Sequence, residues 1–324
     1  MFIFEIFKAV VFGIVEGITE WLPVSSTGHL ILLNEFLKLQ VSPEFQEMFD
    51  VVIQLGAILA VIVIFFRKLN PFDPQKSPAK KNATWLLWFK VCAAIIPSGV
   101  IGILFDDWME EHLHTAIPVA IALIVYGVAF IYVEKRNQGR KMRIGKVWDI
   151  DWKTAVLIGC FQCLSLVPGT SRSGSTILGA ILLGVGRSAG SEFSFFMAIP
   201  TMLGASAIKL LGFLTSGAGF GFGEFVILAV GTVVSFIVSM VAIRALMNYV
   251  RKHSFSAFGV YRIGLGIVVL VYFAIKAILA YCVISDRTTT YPTGGTTYEQ
   301  TRTCGHGSRH GKPLRRPEAA GPHR

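Results

Sequence analysis

Six long apolar stretches dominate this chain and constrain its fold more than any other feature. They lie at about 48–66, 84–105, 115–133, 192–214, 225–246 and 258–283. Each approaches the roughly 20 residues that a membrane-spanning helix needs. Apolar residues make up 53% of the chain and charged residues only 15%, whereas a soluble domain carries about 25% charged residues. The sequence therefore predicts an all-α polytopic membrane protein with six transmembrane helices.

Two further apolar stretches, at about 3–39 and 152–186, are each interrupted by a short polar turn. Pro23 breaks the first stretch, and Pro168 with Gly169 breaks the second. Broken helices occur at membrane depth only where protein or a water-filled cavity surrounds them. We therefore predict two re-entrant helical hairpins. We expect Pro23 in the first turn of the helix that follows its break, where a missing N–H costs little.

The order of these elements indicates an internal repeat. A hairpin and three spans are followed by another hairpin and three spans, and this order predicts an inverted repeat. At a constant offset, Gly13 aligns with Gly159 and Ser25 with Ser171. We expect one membrane domain at 1–284, with halves of about 1–145 and 146–284. The remainder, 285–324, has almost no apolar run and is predicted to be a disordered polar tail.

Loop charge predicts the sidedness of this arrangement. The loops after the first, third and fifth spans are basic, whereas the opposite face receives an acidic segment at 106–111 and a Gly-rich loop. The positive-inside rule then makes the basic loops cytoplasmic and places both termini outside. The net charge of +10 is explained by loops facing anionic lipid, so we expect no nucleic-acid partner. The basic loop residues are Arg67, Lys68, Lys76, Lys80, Lys81, Lys135, Arg136, Arg140, Lys141, Arg143, Lys146, Lys153, Arg251 and Lys252.

Polar side chains in the two predicted hairpins are the candidate functional residues, because such groups are costly in hydrocarbon and usually mark a site. Glu16 and Glu20 are four residues apart, so a helix places both carboxylates on one face. Mg²⁺ or Ca²⁺ would neutralise the pair, with water and phosphate oxygens as further ligands. The alternative is a pair that faces a wet vestibule or caps a helix. Arg172 adds a planar cation suited to phosphate oxygens.

A serine–histidine spacing in the first cluster points to catalysis. His29 follows Ser26 by three residues and Ser25 by four, so on a helix either hydroxyl can lie beside the imidazole. This arrangement is typical of a nucleophile and its base. An ordinary polar contact is the alternative for a lone pair, but the nearby carboxylates and Arg172 favour chemistry. Either a serine attacks phosphorus with histidine as base, or histidine activates water or attacks directly.

The two clusters also carry a family resemblance. The segments E-x-x-x-E-x-L-P-V-S-S-T-G-H at 16–29 and P-G-x-S-R-S-G-x-T at 168–176 resemble the signature motifs of the undecaprenyl-diphosphate phosphatase family, the bacitracin-resistance type of bacterial membrane phosphatase. The resemblance extends from about residue 4 to about residue 273. It implies hydrolysis of undecaprenyl diphosphate and other polyprenyl diphosphates to the monophosphate and inorganic phosphate in the bacterial plasma membrane. This reaction recycles the lipid carrier for peptidoglycan synthesis and confers bacitracin resistance.

The resemblance also implies roles for individual residues. It places a divalent metal at Glu16 and Glu20. Ser26, His29 and Arg172 match positions with catalytic or phosphate-binding roles in that family. Their neighbours are further candidates for binding the substrate phosphates: Ser25, Thr27, Ser171, Ser173 and Thr176.

Several lesser features leave alternatives open. Gln54, Gln162 and Glu192 are predicted to line the cavity, with interhelical hydrogen bonding as the alternative. Asp50 and Arg262 lie near span ends and are expected to anchor at the membrane interface. A flippase for a phosphorylated polyprenyl lipid is the alternative function, since broken helices in inverted repeats are typical of transporters. The oligomeric state stays open, with a homodimer as one candidate.

Overall fold

Most of the part of the chain that the structure describes is helical. The computed structural model describes residues 2–113, 115–215 and 221–289, with side chains for all but 106, 107, 110, 111 and 281–289. The helices in these ranges are α-helices, apart from two short 3-10 helices, Val147–Asp149 and Leu164–Leu166, and turns and loops join them. In chain order they are α1 (Phe2–Thr19), α2 (Ser26–Phe36), α3 (Pro43–Ile64), α4 (Phe66–Leu69), α5 (Pro78–Leu113), α6 (Ala116–Asn137), α7 (Trp152–Cys163), α8 (Arg172–Leu182), α9 (Arg187–Thr215), α10 (Phe222–Val250) and α11 (Ser256–Thr289).

Six of these helices are long and apolar enough to cross a membrane. Within the described ranges they are α3, α5, α6, α9, α10 and α11, which confirms the all-α class and the six predicted spans. Helix α5 differs from prediction at its end. It continues to Leu113, through the acidic segment that was predicted to be a loop. No Gly or Pro interrupts the chain between Phe105 and Leu113, and Glu is a good helix former.

The first broken pair, α1 and α2, begins and ends at the same end of the helix bundle. The carboxylate of Glu5 accepts a hydrogen bond from the backbone N–H of Gln40 at 2.9 Å. The ammonium of Lys8 donates to the carbonyl of Lys38 at 2.6 Å. These contacts join the start of α1 to the chain just after α2, which is what a re-entrant hairpin requires. Its position in a membrane stays a prediction.

The second broken pair, α7 and α8, behaves in the same way. The backbone N–H of Arg143, before α7, donates to the carbonyl of Gly184, after α8, at 2.9 Å. The Arg143 guanidinium also lies 3.3 Å from a carboxylate oxygen of Asp151, the N-cap of α7. A hydrogen bond from the backbone N–H of Thr154 holds the pKa of Asp151 below its usual range. The two ends of this pair therefore also meet.

The loops after α3, α6 and α10 meet at one end of the bundle. Lys68, which follows α3, lies 2.6 Å from a carboxylate oxygen of Glu192 near the start of α9. Glu134, near the end of α6, accepts from Arg187 at 2.9 Å and from the backbone N–H of Phe255, after α10, at 3.0 Å. These three loops carry the basic residues, so the predicted grouping on one face is present.

Glycines allow the broken pairs to pack closely on the spans. Helix α1 packs on α10 and α7 packs on α5, and each of these spans is the second one after a hairpin. A Cβ at Gly13 would lie 2.6 Å from the carbonyl oxygen of Gly231, and one at Gly159 would overlap the carbonyl of Ala94. Small residues permit such close helix contact in membrane proteins. The equivalent placement of Gly13 and Gly159 supports the internal repeat, while its inversion across a membrane stays a prediction.

The chain divides into two units, Met1–Ile278 and Leu279–Arg324. The first holds both broken pairs and the body of all six candidate spans. In the second, the structure describes only the end of α11, which stays helical to Thr289, past the predicted start of the polar tail. The remainder of the predicted tail, 290–324, lies outside the described residues.

Candidate active site

The segment between α1 and α2 (residues 20–25) and the segment between α7 and α8 (residues 164–171) are the two breaks, and they share one local structure. Ser25 is the N-cap of α2, and its hydroxyl accepts from the backbone N–H of Gly28 at 3.4 Å; Ser171 is the N-cap of α8 and accepts from Gly174 at 3.2 Å. Their φ angles, 73° and 70°, are the only positive values among non-glycine residues in the described ranges. Such strain persists only where surrounding structure holds it, and it clusters at functional sites. Both breaks are therefore specialised in the same way.

Pro23 lies outside the helix that it was expected to begin. Helix α2 starts at Ser26, so Pro23 belongs to the turn before the N-cap, and its predicted place in the first helical turn is wrong. The serine hydroxyl of the N-cap can satisfy an exposed N–H at the start of the helix. Pro23 has no side-chain hydroxyl and cannot cap the helix in this way. The break therefore extends to Ser25.

The two polar clusters meet through Arg172 and Glu20. Nη2 of Arg172 donates to Oε1 of Glu20 at 2.8 Å, and both side chains are nearly buried. Nη1 donates to the carbonyl of Ser194 at 2.9 Å, and the guanidinium lies 5.7 Å from the ring centroid of the buried Trp21. The hydroxyl of Ser26 donates to Oε2 of Glu20 at 3.3 Å, a long hydrogen bond. One acid thus connects the candidate phosphate-binding cation to a candidate nucleophile.

Glu16 is a fully buried carboxylate beside this pair. Neither of its oxygens has a hydrogen-bond donor among the residues that the structure describes. The backbone N–H of Glu20 donates to the carbonyl of Glu16 at 3.0 Å, so the two carboxylates lie one helical turn apart. Carboxylates this close in a low dielectric cannot all ionise unless a proton or a cation joins them. Asp50, expected as an interface anchor, accepts a hydrogen bond from Gln46 of its own helix at 2.8 Å, and its anchoring role stays a prediction.

The donor set at Glu16 and Glu20 fits a divalent cation. The two buried Glu16 oxygens have no hydrogen-bond donor among the described residues, so a bound cation would balance their negative charge. No group of three His, Cys, Asp or Glu side chains suited to a metal is found in the described ranges. Mg²⁺ suits a pair of carboxylates, because it keeps several waters and binds through one or two protein acids. Ca²⁺ prefers about six to eight oxygen ligands and would depend more on water and substrate.

His29 is oriented by groups other than the serine hydroxyls. Its Nδ1 lies 2.7 Å from the carbonyl oxygen of Ser25, which can only accept, so Nδ1 carries the proton. Its Nε2 therefore accepts from the hydroxyl of Tyr261 at 2.7 Å. The expected contact of the imidazole with a serine hydroxyl is wrong, because Ser25 caps its helix and Ser26 turns to Glu20. The base within hydrogen-bond reach of Ser26 is Glu20.

The predicted phosphate-binding hydroxyls of the second break contact protein. Ser173 is fully buried and donates to the carbonyl of Glu20 at 3.1 Å. Thr176 donates to the carbonyl of Arg172 at 2.9 Å, and Ser171 caps α8. The Ser173 bond holds the second break against the first, whereas these contacts of Thr176 and Ser171 lie within α8 and its N-cap. Thr27 is half-buried in the first turn of α2. Phosphate binding by any of these hydroxyls stays a prediction.

The three predicted cavity residues differ in their surroundings. Gln162 is buried and donates to the hydroxyl of Ser98 at 2.6 Å, an interhelical hydrogen bond of the kind weighed as the alternative. Glu192 pairs with Lys68 and lines a cavity of about 210 Å³ at the basic end. Gln54 donates to a carbonyl of its own helix. The structure therefore places Gln162 and Glu192 in interhelical contacts.

The sequence did not indicate the roles of two residues of α11 at the site. Arg262 was expected at the membrane interface, but it is fully buried and binds backbone carbonyls of both breaks. The interface prediction for Arg262 is wrong. The available signal was its position inside an apolar stretch, where an unpaired arginine is costly. Tyr261, the partner of His29, carries no comparable signal, because tyrosine is common near membrane interfaces.

Known proteins resemble this chain over most of its length. A family model described as bacitracin resistance protein BacA matches residues 9–268. An undecaprenyl-diphosphatase of Limosilactobacillus fermentum is 56% identical over 273 residues, covering 84% of this chain and 99% of that protein. An undecaprenyl-diphosphatase of Enterococcus faecalis is 52% identical over 268 residues, covering 83% and 97%. One of Lactiplantibacillus plantarum is 54% identical over 271 residues, covering 84% and 98%.

Proposed function

The chain belongs to the bacitracin resistance protein BacA family, and we propose that it is an undecaprenyl-diphosphatase. It is a membrane hydrolase that converts undecaprenyl diphosphate to undecaprenyl phosphate and inorganic phosphate. The product is the lipid carrier that peptidoglycan synthesis reuses. The observation that carries the proposal is the contact between the two breaks, where Arg172, Glu20 and Ser26 form one hydrogen-bonded chain.

We propose that Arg172 binds and orients the diphosphate. Its guanidinium is fixed by Glu20 and by the carbonyl of Ser194, so it is organised before the substrate arrives. Phosphoryl transfer depends mainly on positioning and on neutralising charge. The N-termini of α2 and α8 add backbone N–H groups that favour an anion between the breaks. Arg172 therefore supplies the fixed positive charge that the terminal phosphate requires.

Ser26 and Glu20 form the proton path that the geometry favours. The serine oxygen would attack the terminal phosphorus, and the bond from that phosphorus to the bridging oxygen would break, releasing the lipid monophosphate. Glu20 accepts the proton of the Ser26 hydroxyl. Water then displaces phosphate from the serine and restores the hydroxyl. His29 as nucleophile, or as the activator of a water, is the competing route, and trapping a phosphorylated protein and mapping it to Ser26 or His29 decides between them.

We propose that Glu16 and Glu20 hold Mg²⁺ or Ca²⁺ when the substrate binds. The cation would supply Lewis-acid stabilisation of charge on the phosphate oxygens. Its support is the buried Glu16 carboxylate, which has no hydrogen-bond donor among the described residues. EDTA is expected to abolish phosphate release, and added Mg²⁺ to restore it. Unchanged release in EDTA would contradict the metal site.

The substrate and the membrane setting belong to the same proposal. A polyprenyl chain can stay in lipid while its diphosphate enters between the breaks, so other polyprenyl diphosphates are expected substrates. We place the protein in the bacterial plasma membrane with both termini outside. The support is the clustering of the basic loops at one end of the bundle, since such loops face the cytoplasm. A homodimer is retained as a candidate assembly.

Phosphate release by the purified protein tests the function. Undecaprenyl diphosphate in detergent with Mg²⁺ is the substrate, and inorganic phosphate is measured over time. Arg172→Ala and Glu20→Ala are expected to lower the rate by about 100-fold or more, the typical loss for one charge-stabilising group. Arg143→Ala and Glu47→Ala are matched controls, because both side chains are largely exposed. Turnover like wild type in either site variant would contradict the assigned roles.

A flippase is the alternative function, and it predicts a different result in the same experiment. A flippase would release no phosphate from the diphosphate, yet would move the lipid across the membrane of sealed vesicles. The relatives that match most of this chain are named for hydrolysis. The comparisons therefore favour the phosphatase over the transporter.

A further inference from the structure

Arg262 of α11 is a buried cation held between the two breaks. Its Nη1 donates to the carbonyl oxygen of Pro23 at 3.1 Å. Its Nη2 donates to the carbonyl oxygens of Gly169 and Thr170 at 2.8 and 3.0 Å. One guanidinium thus binds the backbone of both breaks at once. A Cβ at Gly174 would lie 3.1 Å from Nη1, so the missing side chain there leaves room for the guanidinium.

The charge of Arg262 is not balanced by an acid. Within the described part of the chain no carboxylate forms an ion pair with it. Besides the carbonyls, the guanidinium lies 5.5 Å from the ring centroid of Tyr126. Taking an ion out of water is costly unless partners offset the loss of hydration. A fully buried, unpaired arginine is therefore expected only where its contacts serve a particular purpose.

The carbonyls that Arg262 binds control the geometry of the helix starts. A buried break has carbonyl groups without helical donors, and these must find other partners. Pro23 lies two residues before the N-cap Ser25, and Thr170 lies directly before the N-cap Ser171. When Arg262 holds these carbonyls in place, the two N-cap residues are held in place as well. The first residues of the following helices, Ser26 and Arg172, then also keep their positions.

We propose that Arg262 is a positioning residue for the phosphatase reaction. It ties the two breaks together and sets the separation at which Glu20 and Ser26 meet Arg172. The inference rests on the proposed function for its kinetic consequence only. Full burial keeps Arg262 away from substrate, so it acts through the residues that it positions. A displacement of about 1 Å in such a site can cost about 100-fold in rate.

Two measurements on Arg262→Gln test this role, with Arg262→Lys as a second variant that keeps the charge. Hydrogen–deuterium exchange in detergent is expected to rise in peptides covering 20–26 and 167–172, and to stay unchanged in α3 and α10. In the phosphate-release assay, kcat is expected to fall by about 10- to 100-fold. KM is expected to change less than about threefold, because Arg172 still binds the phosphate. Lysine has one nitrogen donor group and is expected to show the same pattern.

Arg187→Gln is the matched control, since Arg187 also ties separate segments together through Glu134 but lies away from the breaks. It should leave exchange at both breaks and kcat unchanged. Unchanged exchange at either break in both Arg262 variants would show that Arg262 does not tie the breaks together, whatever the activity. Increased exchange at the breaks with wild-type kcat would overturn its link to the reaction. A wild-type protein that releases no phosphate would refute the proposed function. The exchange data would still show whether Arg262 ties the two breaks together.

Discussion

Glu20 is the residue on which the site depends most, because its two carboxylate oxygens serve different partners. Oε1 accepts from Arg172 and Oε2 from Ser26. Glu20→Gln keeps an acceptor for Arg172 but cannot take a proton from serine. We expect kcat for phosphate release to fall by about 10²- to 10⁴-fold, the usual contribution of a general base.

The control for this prediction is Glu47→Gln, which makes the same chemical change at a largely exposed side chain. Size-exclusion chromatography shows whether each variant is folded. A Glu20→Gln protein that is folded and retains more than about a tenth of wild-type kcat would show that Glu20 is not the base.

Tyr261 gives a second prediction at the residue scale. Its hydroxyl donates to Nε2 of His29, and the two rings stack at 5.7 Å. Tyr261→Phe keeps the stacking and removes the hydrogen bond. A bond of this kind contributes about 1 kcal/mol, so we expect kcat to fall by about fivefold. In a His29→Ala background the same change should have no further effect. Equal losses in both backgrounds would show that Tyr261 acts independently of His29.

At the scale of helices, close packing of the broken pairs on the spans should be sensitive to single methyl groups. A Cβ at Gly159 of α7 would overlap the carbonyl of Ala94 on α5, whereas one at Gly204 of α9 meets nothing within 4 Å. Gly159→Ala is expected to destabilise the protein by about 1–3 kcal/mol, the usual penalty for overpacking. Gly204→Ala should be neutral or slightly stabilising, since Ala favours helix. Thermal unfolding in detergent compares the two, and equal midpoints would contradict the tight contact.

Helix positions and breaks were largely predictable from the sequence, but helix ends were less so. Hydropathy identifies the spans because lipid-facing and buried positions are both apolar. Pro23 and Pro168 locate the breaks only together with the polar clusters beside them, because Pro97 of α5 and Pro200 of α9 lie within continuous helices. The end of α5 was missed because its acidic residues are compatible with both a loop and a helix. The start of α2 was missed because the capping hydroxyl of Ser25, rather than Pro23, sets it.

For the whole molecule, the contact between Glu20 and Arg172 was predictable because each lies in a polar cluster at an equivalent break. The role of Arg262 was not predictable in the same way. Every residue offers a similar backbone carbonyl, so the sequence does not indicate which carbonyls an arginine will reach. The hydrogen bond between Tyr261 and His29 likewise joins α11 to α2 without a local pattern. Such long-range contacts therefore limit how much of the site can be predicted from the sequence alone.

The membrane orientation of the whole molecule gives the last prediction. The basic loops gather at one end of the bundle. The ends of the first broken pair meet each other at the opposite end, where Phe2 lies beside Gly223 at the start of α10. The positive-inside rule makes the basic end cytoplasmic. With the five native cysteines replaced, Gln40→Cys should react with a membrane-impermeant maleimide on intact cells. Lys252→Cys, in the exposed loop after α10, should react only after permeabilisation. Labelling of Lys252→Cys in intact cells would reverse the orientation, and it would also undermine the proposal that both termini lie outside.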